Sequence, residues 1–395
     1  MPAAPQDVFL EMLDATLSDA VIHFRLGDRE FTAGKGHGAG QFCVRVHEPR
    51  FFAQAICYGN LGLGESFMNG DFEMEEGCLH DFLTVLLRNR IDEKIRKTSR
   101  LAWKLAWIQL RNRFRSRPEN VRRHYDIGDD LFEAFLDSTL TYSCGYATTP
   151  DDDLEQLQFN KLNRICEKLR LTPGDRLLDI GCGFGGLLMF AAEHYGVCGT
   201  GVTVSRRHCE RGNTEIARQG FGDRVRIELC DYREIQGRYG KIVSVGMMEH
   251  VSHSEYGAYF RKIAGALIAG GLGLVHTIGC SAAVNEHDPF IQKYVFPGSG
   301  QPRLSEIAAS IEKNGLALLD VENIVRHYAL TVMQWLKQFQ QNRAGLDPRR
   351  YDPVFQRMWE YYLSCGIAAA RASDAAVYQV LFQNDRAGDI PLKRI

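Results

Sequence analysis

The chain has 395 residues, 45% of them apolar and 24% charged, with 47 Lys and Arg against 49 Asp and Glu and a formal net charge of -2. That length suggests two or three domains with a large buried core, and the charge balance excludes a nucleic-acid binder that is basic over its whole surface, though not a local basic patch. No apolar run approaches the roughly 18 residues of a membrane-spanning helix, MPAAPQDVFLEML lacks the basic and apolar regions of a signal peptide, and 11 cysteines without a C-x-x-C pair read as reduced cytosolic thiols rather than a disulfide or zinc framework.

In chain order, AVIHFRLGDREFTAG and QFCVRVHE alternate apolar and polar residues and read as strands, separated by the flexible GKGHGAG. FFAQAICYGNLGLGESFMNGDFEMEEGCLHDFLTVLLRN follows, with helical spacing in its later part. Residues 1–90 are therefore read as a small α+β domain. From Arg88 to Arg123 there are 13 Lys/Arg and 3 Asp/Glu, a local balance of +10, so the other residues sum to -12. Within that stretch Leu101, Trp103, Leu105, Trp107, Leu110 and Phe114 are interleaved with basic residues. Helical spacing puts many of these apolar side chains on one broad face flanked by positive charge. Three readings fit: a helix lying on an anionic membrane surface, a linker helix whose tryptophans pack on a neighbouring domain, or a nucleic-acid patch. Pro118 ends the helix, and residues 91–120 are taken as a basic amphipathic linker.

After Val121 strands and helices alternate. RLLDI, VCGTGV, RVRIEL, KIVSVG and GLGLVHTI are strand-like, and GGLLMFAAEHYG, SRRHCERGNTEIARQG and EYGAYFRKIAGALIAGG lie between them as helices. Two further helical segments, SEIAASIEKNG and PVFQRMWEYYLSCGIAAARA, precede a last strand, VYQVLF. This order implies parallel strands with crossover helices, an α/β domain over residues 121–395.

The sharpest local signal is LLDIGCGFGGLL, with Asp179, Gly181, Gly183, Gly185 and Gly186, which follows a strand and opens a helix. Glycines there permit a tight turn and close approach of backbone to a ligand. As a bare G-x-G-x-x-G it also fits a dinucleotide fold. However, the acid two places before the first glycine suits S-adenosylmethionine, and the end of the second strand, GTGVTVS, lacks the acid a nicotinamide cofactor wants. After the third strand, LCDYRE offers Asp231 and Tyr232 where an adenine would lie. Glu249 follows KIVSVGMM and His276 closes GLGLV, both at carboxyl ends of strands, where ligands of open parallel sheets collect. His250 and His253 have no third ligand at metal spacing, so no metal site is expected. Tyr125, Tyr142, Ser143, Cys144 and Tyr146 gather just before the α/β core, and Cys144 has no visible base to make it a nucleophile.

Together these pieces resemble the cyclopropane-fatty-acid synthase family. The resemblance runs through HYDIGDDLFEAFLDSTLTYSCGY, LLDIGCGFGG, GVTVS, CDYRE, SVGMMEHV, LVHTIG, DPFIQKYVFPG and VYQVLF, in order, from Val121 to about Asn384. The first hundred residues resemble the family's N-terminal lipid-handling domain more loosely. The resemblance implies a Rossmann-like class I methyltransferase domain behind a smaller α+β lipid-handling domain. It implies that a cis double bond of an acyl chain, still esterified in a membrane phospholipid, attacks the methyl group of S-adenosylmethionine. The carbocation then closes to a cyclopropane after losing a proton to a bound bicarbonate ion. By the same matching Cys144, Glu249, His276, Ile278 through its backbone N–H, and Tyr328 in RHYALT would meet the bicarbonate. Tyr125, Tyr142, Ser143, Gly181, Thr203, Asp231 and Tyr232 would meet the cofactor, beside the Asp179, Gly183 and Gly185 of its loop. His208 stands where the family often has a glutamine, and an imidazole still forms hydrogen bonds. The implied setting is cytoplasmic, a homodimer docked on the inner face of a phospholipid bilayer, without nucleic acid. A methylene- or methyl-branched product from the same first step is the near rival. A nicotinamide-dependent oxidoreductase and a non-catalytic lipid-binding protein are the alternatives of other classes.

Overall fold

The structure, a computed structural model, describes residues 4–36, 40–91, 128–280 and 288–384. Tyr125 and the basic linker beyond Ile91 therefore lie outside the described residues. The chain forms two compact units, one of residues 1–131, 286–297 and 339–372, the other of residues 132–285, 298–338 and 373–395.

The first unit is built on a four-stranded sheet, β2-β1-β3-β4, of β1 (Val21–Leu26), β2 (Arg29–Ala33), β3 (Gln41–Val46) and β4 (Phe72–Glu76). β1 pairs antiparallel with β2 and parallel with β3, and β3 pairs antiparallel with β4. Ile22 and Phe24 of β1 are fully buried, and Phe24 meets Phe9, Phe51 and Phe52 edge-on or tilted at 5.8 to 6.3 Å between ring centroids. The α+β character read from the sequence is present. β4 was not: FEMEE buries only Phe72, shows Glu73 and Glu76 to solvent, as an edge strand can, and pairs Glu75 with Arg25 and Arg45. The long helix Pro353–Ala372, read in sequence as part of the second domain, packs here against the helix Leu79–Arg88. The Arg371 guanidinium donates to Asp81 at 2.5 Å, and Arg88 donates to the Arg371 carbonyl at 3.2 Å.

The second unit carries a seven-stranded sheet, β10-β11-β9-β8-β5-β6-β7, with β5 (Arg176–Ile180), β6 (Cys198–Thr203), β7 (Val225–Leu229), β8 (Tyr239–Val245), β9 (Leu267–Cys280), β10 (Leu316–Asn323) and β11 (Ala375–Asn384). β5 to β9 run parallel, as the strand–helix alternation predicts, and β11 inserts antiparallel between β9 and β10. Strand order reverses beside β5, which puts a crevice at the carboxyl ends of β5 and β8. Apolar cores form on both faces, one of them under the helices Leu154–Lys168 and Gly186–Tyr195. This is the α/β class I methyltransferase architecture expected from the sequence.

Two of the elements that escaped the sequence reading did so for a shared reason. The helix Leu154–Lys168 turns Lys161 and Lys168 inward with its leucines, which hides its apolar stripe. The strand β10 carries Asp320 and Glu322. The two anomalies meet: Lys168 Nζ lies 2.6 Å from Glu322 Oε2 and 3.9 Å from Asp320. Arg164 and the Tyr146 hydroxyl also donate to Glu322, at 3.3 and 3.1 Å. Removing one partner of such a pair strands the other charge away from water, at a cost of about 3 kcal/mol. Glu322→Ala should therefore lower the unfolding free energy by about that amount, and Glu322→Gln by less, in urea titrations followed by circular dichroism. Equal, negligible losses in both variants would show that Lys168 does not depend on this carboxylate.

Candidate active site

β5 delivers the chain into the glycine loop. Gly181, Gly183 and Gly185 have φ of +81°, +55° and +84°, the left-handed region that a side chain makes costly. A Cβ on Gly181 would stand 2.9 Å from Met247, whereas one on Gly183 would meet nothing within 4 Å. The first glycine is thus required by conformation and space together, and the second leaves a face of the backbone open. Gly181 and Cys182 donate their N–H groups to Val202 at 2.9 and 3.2 Å, which ties the loop to β6. The helix Gly186–Tyr195 begins at once, with Gly185 as its cap and no capping side-chain hydrogen bond among the described residues. Open glycine backbone before a bare helix start favours an anionic ligand group.

Asp179, at the end of β5, is buried, its Oδ1 has no partner among the described residues, and burial pushes its pKa up to about 7. Lys161 is buried beside it and donates to Ser143 Oγ at 3.1 Å; burial lowers its pKa to about 8, opposed by the charges of Asp137 and Asp179. Gln158 Nε2 donates to the Ser143 carbonyl at 3.0 Å. The ring of Tyr142 is set among Phe132, Phe135 and Trp335 at 5.1 to 5.6 Å. Thr203 ends β6 and accepts from the Ser205 N–H at 3.2 Å, and Ser205 caps the next helix by accepting from the His208 N–H, also at 3.2 Å. The His208 ring lies 4.5 Å from that of Phe184 in the glycine loop. After β7, Asp231 caps a short turn and pairs with the Arg233 guanidinium at 2.8 and 2.9 Å, which holds its pKa below the usual range. Tyr232 stands edge-on to Tyr259 at 5.4 Å.

The second set lies at the ends of β8 and β9. Glu249 Oε1 accepts the Ile278 N–H at 2.6 Å, and its Oε2 is buried without a partner among the described residues. Burial pushes its carboxyl up to about 7, against the opposing pull of the Ile278 hydrogen bond. The Ile278 N–H, expected from the resemblance to face an anion, thus donates to Glu249. His276 sits on the adjoining strand, 1% exposed, in register with Val245, and its carbonyl accepts the Gly246 N–H at 2.9 Å. Burial, with smaller contributions from the charges of Lys161 and Lys168, lowers its pKa to about 3, so the ring is neutral. Cys144 is buried and its pKa is raised to about 12, which keeps it a thiol rather than a nucleophilic thiolate. Gly145 N–H donates to Thr331 Oγ1 at 3.0 Å, anchoring the Cys144 segment to the helix Val325–Asn342 that carries Tyr328. Tyr328 is itself buried, edge-on to Trp335 at 6.4 Å. Lys161 and Gln379 were not singled out in the sequence. The available signal was a polar residue at a position where helical or strand periodicity calls for an apolar one.

Comparison with known proteins supplies the family. The family described as mycolic acid cyclopropane synthetase matches residues 112–380. The cyclopropane-fatty-acyl-phospholipid synthase of Escherichia coli (strain K12) is 37% identical over 348 residues, covering 88% of this chain and 89% of that protein. A tuberculostearic acid methyltransferase of Mycobacterium tuberculosis is 34% identical over 357 residues, 85% of this chain and 81% of its own length. Among solved structures, a mycolic acid cyclopropane synthase complexed with SAH and CTAB superposes with a TM-score of 0.61 at 30% identity, over 68% of this chain and 99% of that one. A cyclopropane synthase from Mycobacterium tuberculosis gives 0.62 at 28% identity, over 67% and 97%. The chain belongs to the cyclopropane-fatty-acyl-phospholipid synthase family of S-adenosylmethionine-dependent methyltransferases.

The raised pKa of Glu249 has a stability consequence with a definite sign. Its folded value of about 7 lies above its ordinary 4.5, so the fold favours the protonated carboxyl. The stability this contributes is complete below pH 4.5 and is lost as pH rises through about 7, by about 3 kcal/mol. Glu249→Gln keeps an oxygen for the Ile278 N–H and cannot ionise. Its unfolding free energy should gain on the wild type by about 3 kcal/mol as pH is raised across that interval. A difference that stays flat with pH would place the Glu249 carboxyl at an ordinary pKa.

Proposed function

We propose, on the premise of that family membership, that this protein methylates the cis double bond of an unsaturated acyl chain in membrane phospholipid and closes it to a cyclopropane. The observation that carries the reading is a pair of groups, Glu249 in the turn after β8 and His276 on the adjacent β9, each with one buried polar atom, Oε2 and Nε2, that has no partner among the described residues.

The glycine loop fits S-adenosylmethionine. The backbone of Gly181, Gly183 and Gly185 and the bare helix start suit its carboxylate, and the unpartnered Asp179 Oδ1 is an acceptor at the same loop. Tyr125, Tyr142, Ser143, Thr203, His208, Asp231 and Tyr232 complete the cofactor-binding set. The cofactor supplies an electrophilic methyl group, and the rest falls to the chain's own residues. A cation formed on an acyl chain survives only where water is excluded. Here the tyrosines, tryptophan and phenylalanines around Tyr142 and Tyr328 make the dry wall. Cys144 as thiol, His276 as neutral imidazole, Tyr328 as phenol and Glu249 as carboxylic acid are uncharged donors, with the Ile278 N–H holding Glu249 in place. Such a set accepts one small anion without further charge, and an anion beside Glu249 favours its proton further. Cys144, His276, Tyr328 and Glu249 would hold a bicarbonate ion there, which would supply the base for a proton of the newly added methyl group, the C–H electrons closing the ring with a net gain of CH₂ and carbonic acid as by-product. The Tyr328 and Glu249 side chains orient the bicarbonate. The basic linker of residues 91–120 docks a homodimer on anionic lipid at the cytoplasmic face of the membrane.

A second reading keeps the first step and ends in a methyl- or methylene-branched chain. It is favoured by the 34% identity to a tuberculostearic acid methyltransferase.

Vesicles of cis-monounsaturated phospholipid incubated with enzyme and S-adenosylmethionine should yield fatty acids heavier by one CH₂, with upfield cyclopropyl protons in the NMR spectrum. The same mass gain with vinylidene protons, or a methyl branch, would select the second reading. No mass gain with cofactor bound would remove both.

Bicarbonate depletion should slow turnover and its return restore it. Tyr328→Phe and Glu249→Gln should each reduce kcat by at least about tenfold while cofactor affinity changes little, since a group acting on the reacting proton works in the transition state. Loss of cofactor affinity alone would move these residues out of the base site.

A further inference from the structure

His276 and Gln379 are direct partners in the antiparallel pairing of β9 and β11. Strand alternation puts both on the face that also carries Leu274 and Leu381, in the core beneath the helix Leu154–Lys168. Gln379 is 0% and His276 1% exposed. Gln379 Nε2 lies 3.3 Å from His276 Nδ1. A carboxamide nitrogen has hydrogens to give and no lone pair to accept with, so Nδ1 must be the acceptor. An Nδ1–H would instead oppose the hydrogens of that amide. The proton of the neutral imidazole is then on Nε2, the atom left without a partner among the described residues.

The neighbour on the other side of Gln379 does not compete for that amide. Glu322 of β10 is in register with it. Its Oε1 already accepts from the Tyr146 hydroxyl, and its Oε2 accepts from Lys168 and Arg164.

We propose that Gln379 is a positioning residue: its side-chain amide holds His276 as the Nε2–H tautomer, so that the ring offers a donor, not a lone pair, to the anion in the site. The tautomer stands on the Gln379–His276 geometry, and the anion half rests on the bicarbonate reading given above. The opposite tautomer would leave a lone pair at Nε2, an acceptor facing the anion. A partner that fixes one ring nitrogen so that the other is presented correctly is a general device for histidine.

The test is a long-range proton–nitrogen correlation spectrum of the full-length protein labelled with ¹⁵N-histidine, with His276→Asn used to assign the ring. His276 should show a protonated Nε2 and an unprotonated Nδ1. The reverse pattern in the wild type would overturn the proposal without any need for a variant. Gln379→Met, of similar volume but without a donor, should populate the Nδ1–H form. It should also raise the bicarbonate concentration for half-maximal rate by about tenfold, while that for S-adenosylmethionine moves less than about twofold. An unchanged tautomer in a folded Gln379→Met protein would overturn the assignment, and equal effects on both half-saturation values would overturn the positioning role. Wild-type indifference to bicarbonate, with the Nε2–H tautomer intact, would reject the base reading and leave the tautomer assignment to Gln379 supported.

Discussion

Ionisable side chains buried on one face of the seven-stranded sheet are the constraint to which the rest of the second unit answers. Asp179, His276, Lys161 and Lys168 are all at most 3% exposed. An isolated charge in such a place costs so much that the group either finds a partner or gives up its charge. Both outcomes occur. Lys168 keeps its charge against Glu322, with Asp320 near by. His276 loses its charge altogether, since burial and two nearby ammonium groups act in the same direction. The helix Leu154–Lys168 is the element that makes this arrangement possible, because it brings both lysines down onto the face where the carboxylates and the imidazole lie.

The result is a division of labour between two regions of the crevice. Around the glycine loop charges remain: Lys161 beside Asp179, Arg233 on Asp231, and the bare helix start. That environment suits a zwitterionic, cationic ligand. A strand or two away, burial raises the Glu249 carboxyl to about 7 and keeps His276 neutral, with Cys144 a thiol. Were either region to take on the other's character, it would fail. A charged cage would repel or trap a small anion, and an apolar glycine loop would leave a carboxylate without donors.

The parts of this plan that follow local rules were readable in the sequence. The alternation of β5 to β9 with their helices and the glycine loop are properties of short segments, and the structure has them where the residues suggested, except that β9 starts at Leu267, inside the run read as helix, and continues past His276 to Cys280. Elements that depend on distant partners were not. β10 owes its acids to Lys168, more than 150 residues away, and β4 survives as an edge with one buried phenylalanine. The helix Pro353–Ala372 joins the first unit through Leu79–Arg88, a pairing that no local pattern encodes. Gln379 was hidden for another reason. In VYQVLF it reads as one polar break in an apolar strand, and only the register with β9 gives it His276 as a partner.

Asp179 and Glu249 show why composition alone could not have sorted the site. Both are carboxyls at strand ends, and burial raises both toward about 7. Their surroundings separate them. Asp179 has the Lys161 charge opposing its burial, so its proton and that of the lysine are held jointly and the pair can stay ionic beside a cationic ligand. Glu249 has no cation among the influences on it; its opposing forces are hydrogen bonds, the first from the Ile278 N–H, which occupies Oε1. Its remaining oxygen is the one that carries the proton. In the proposed function two acids of the same kind thus serve opposite needs, one as an acceptor near a positive ligand and one as a donor near a negative one. What distinguishes them is a single lysine on the helix that covers the sheet.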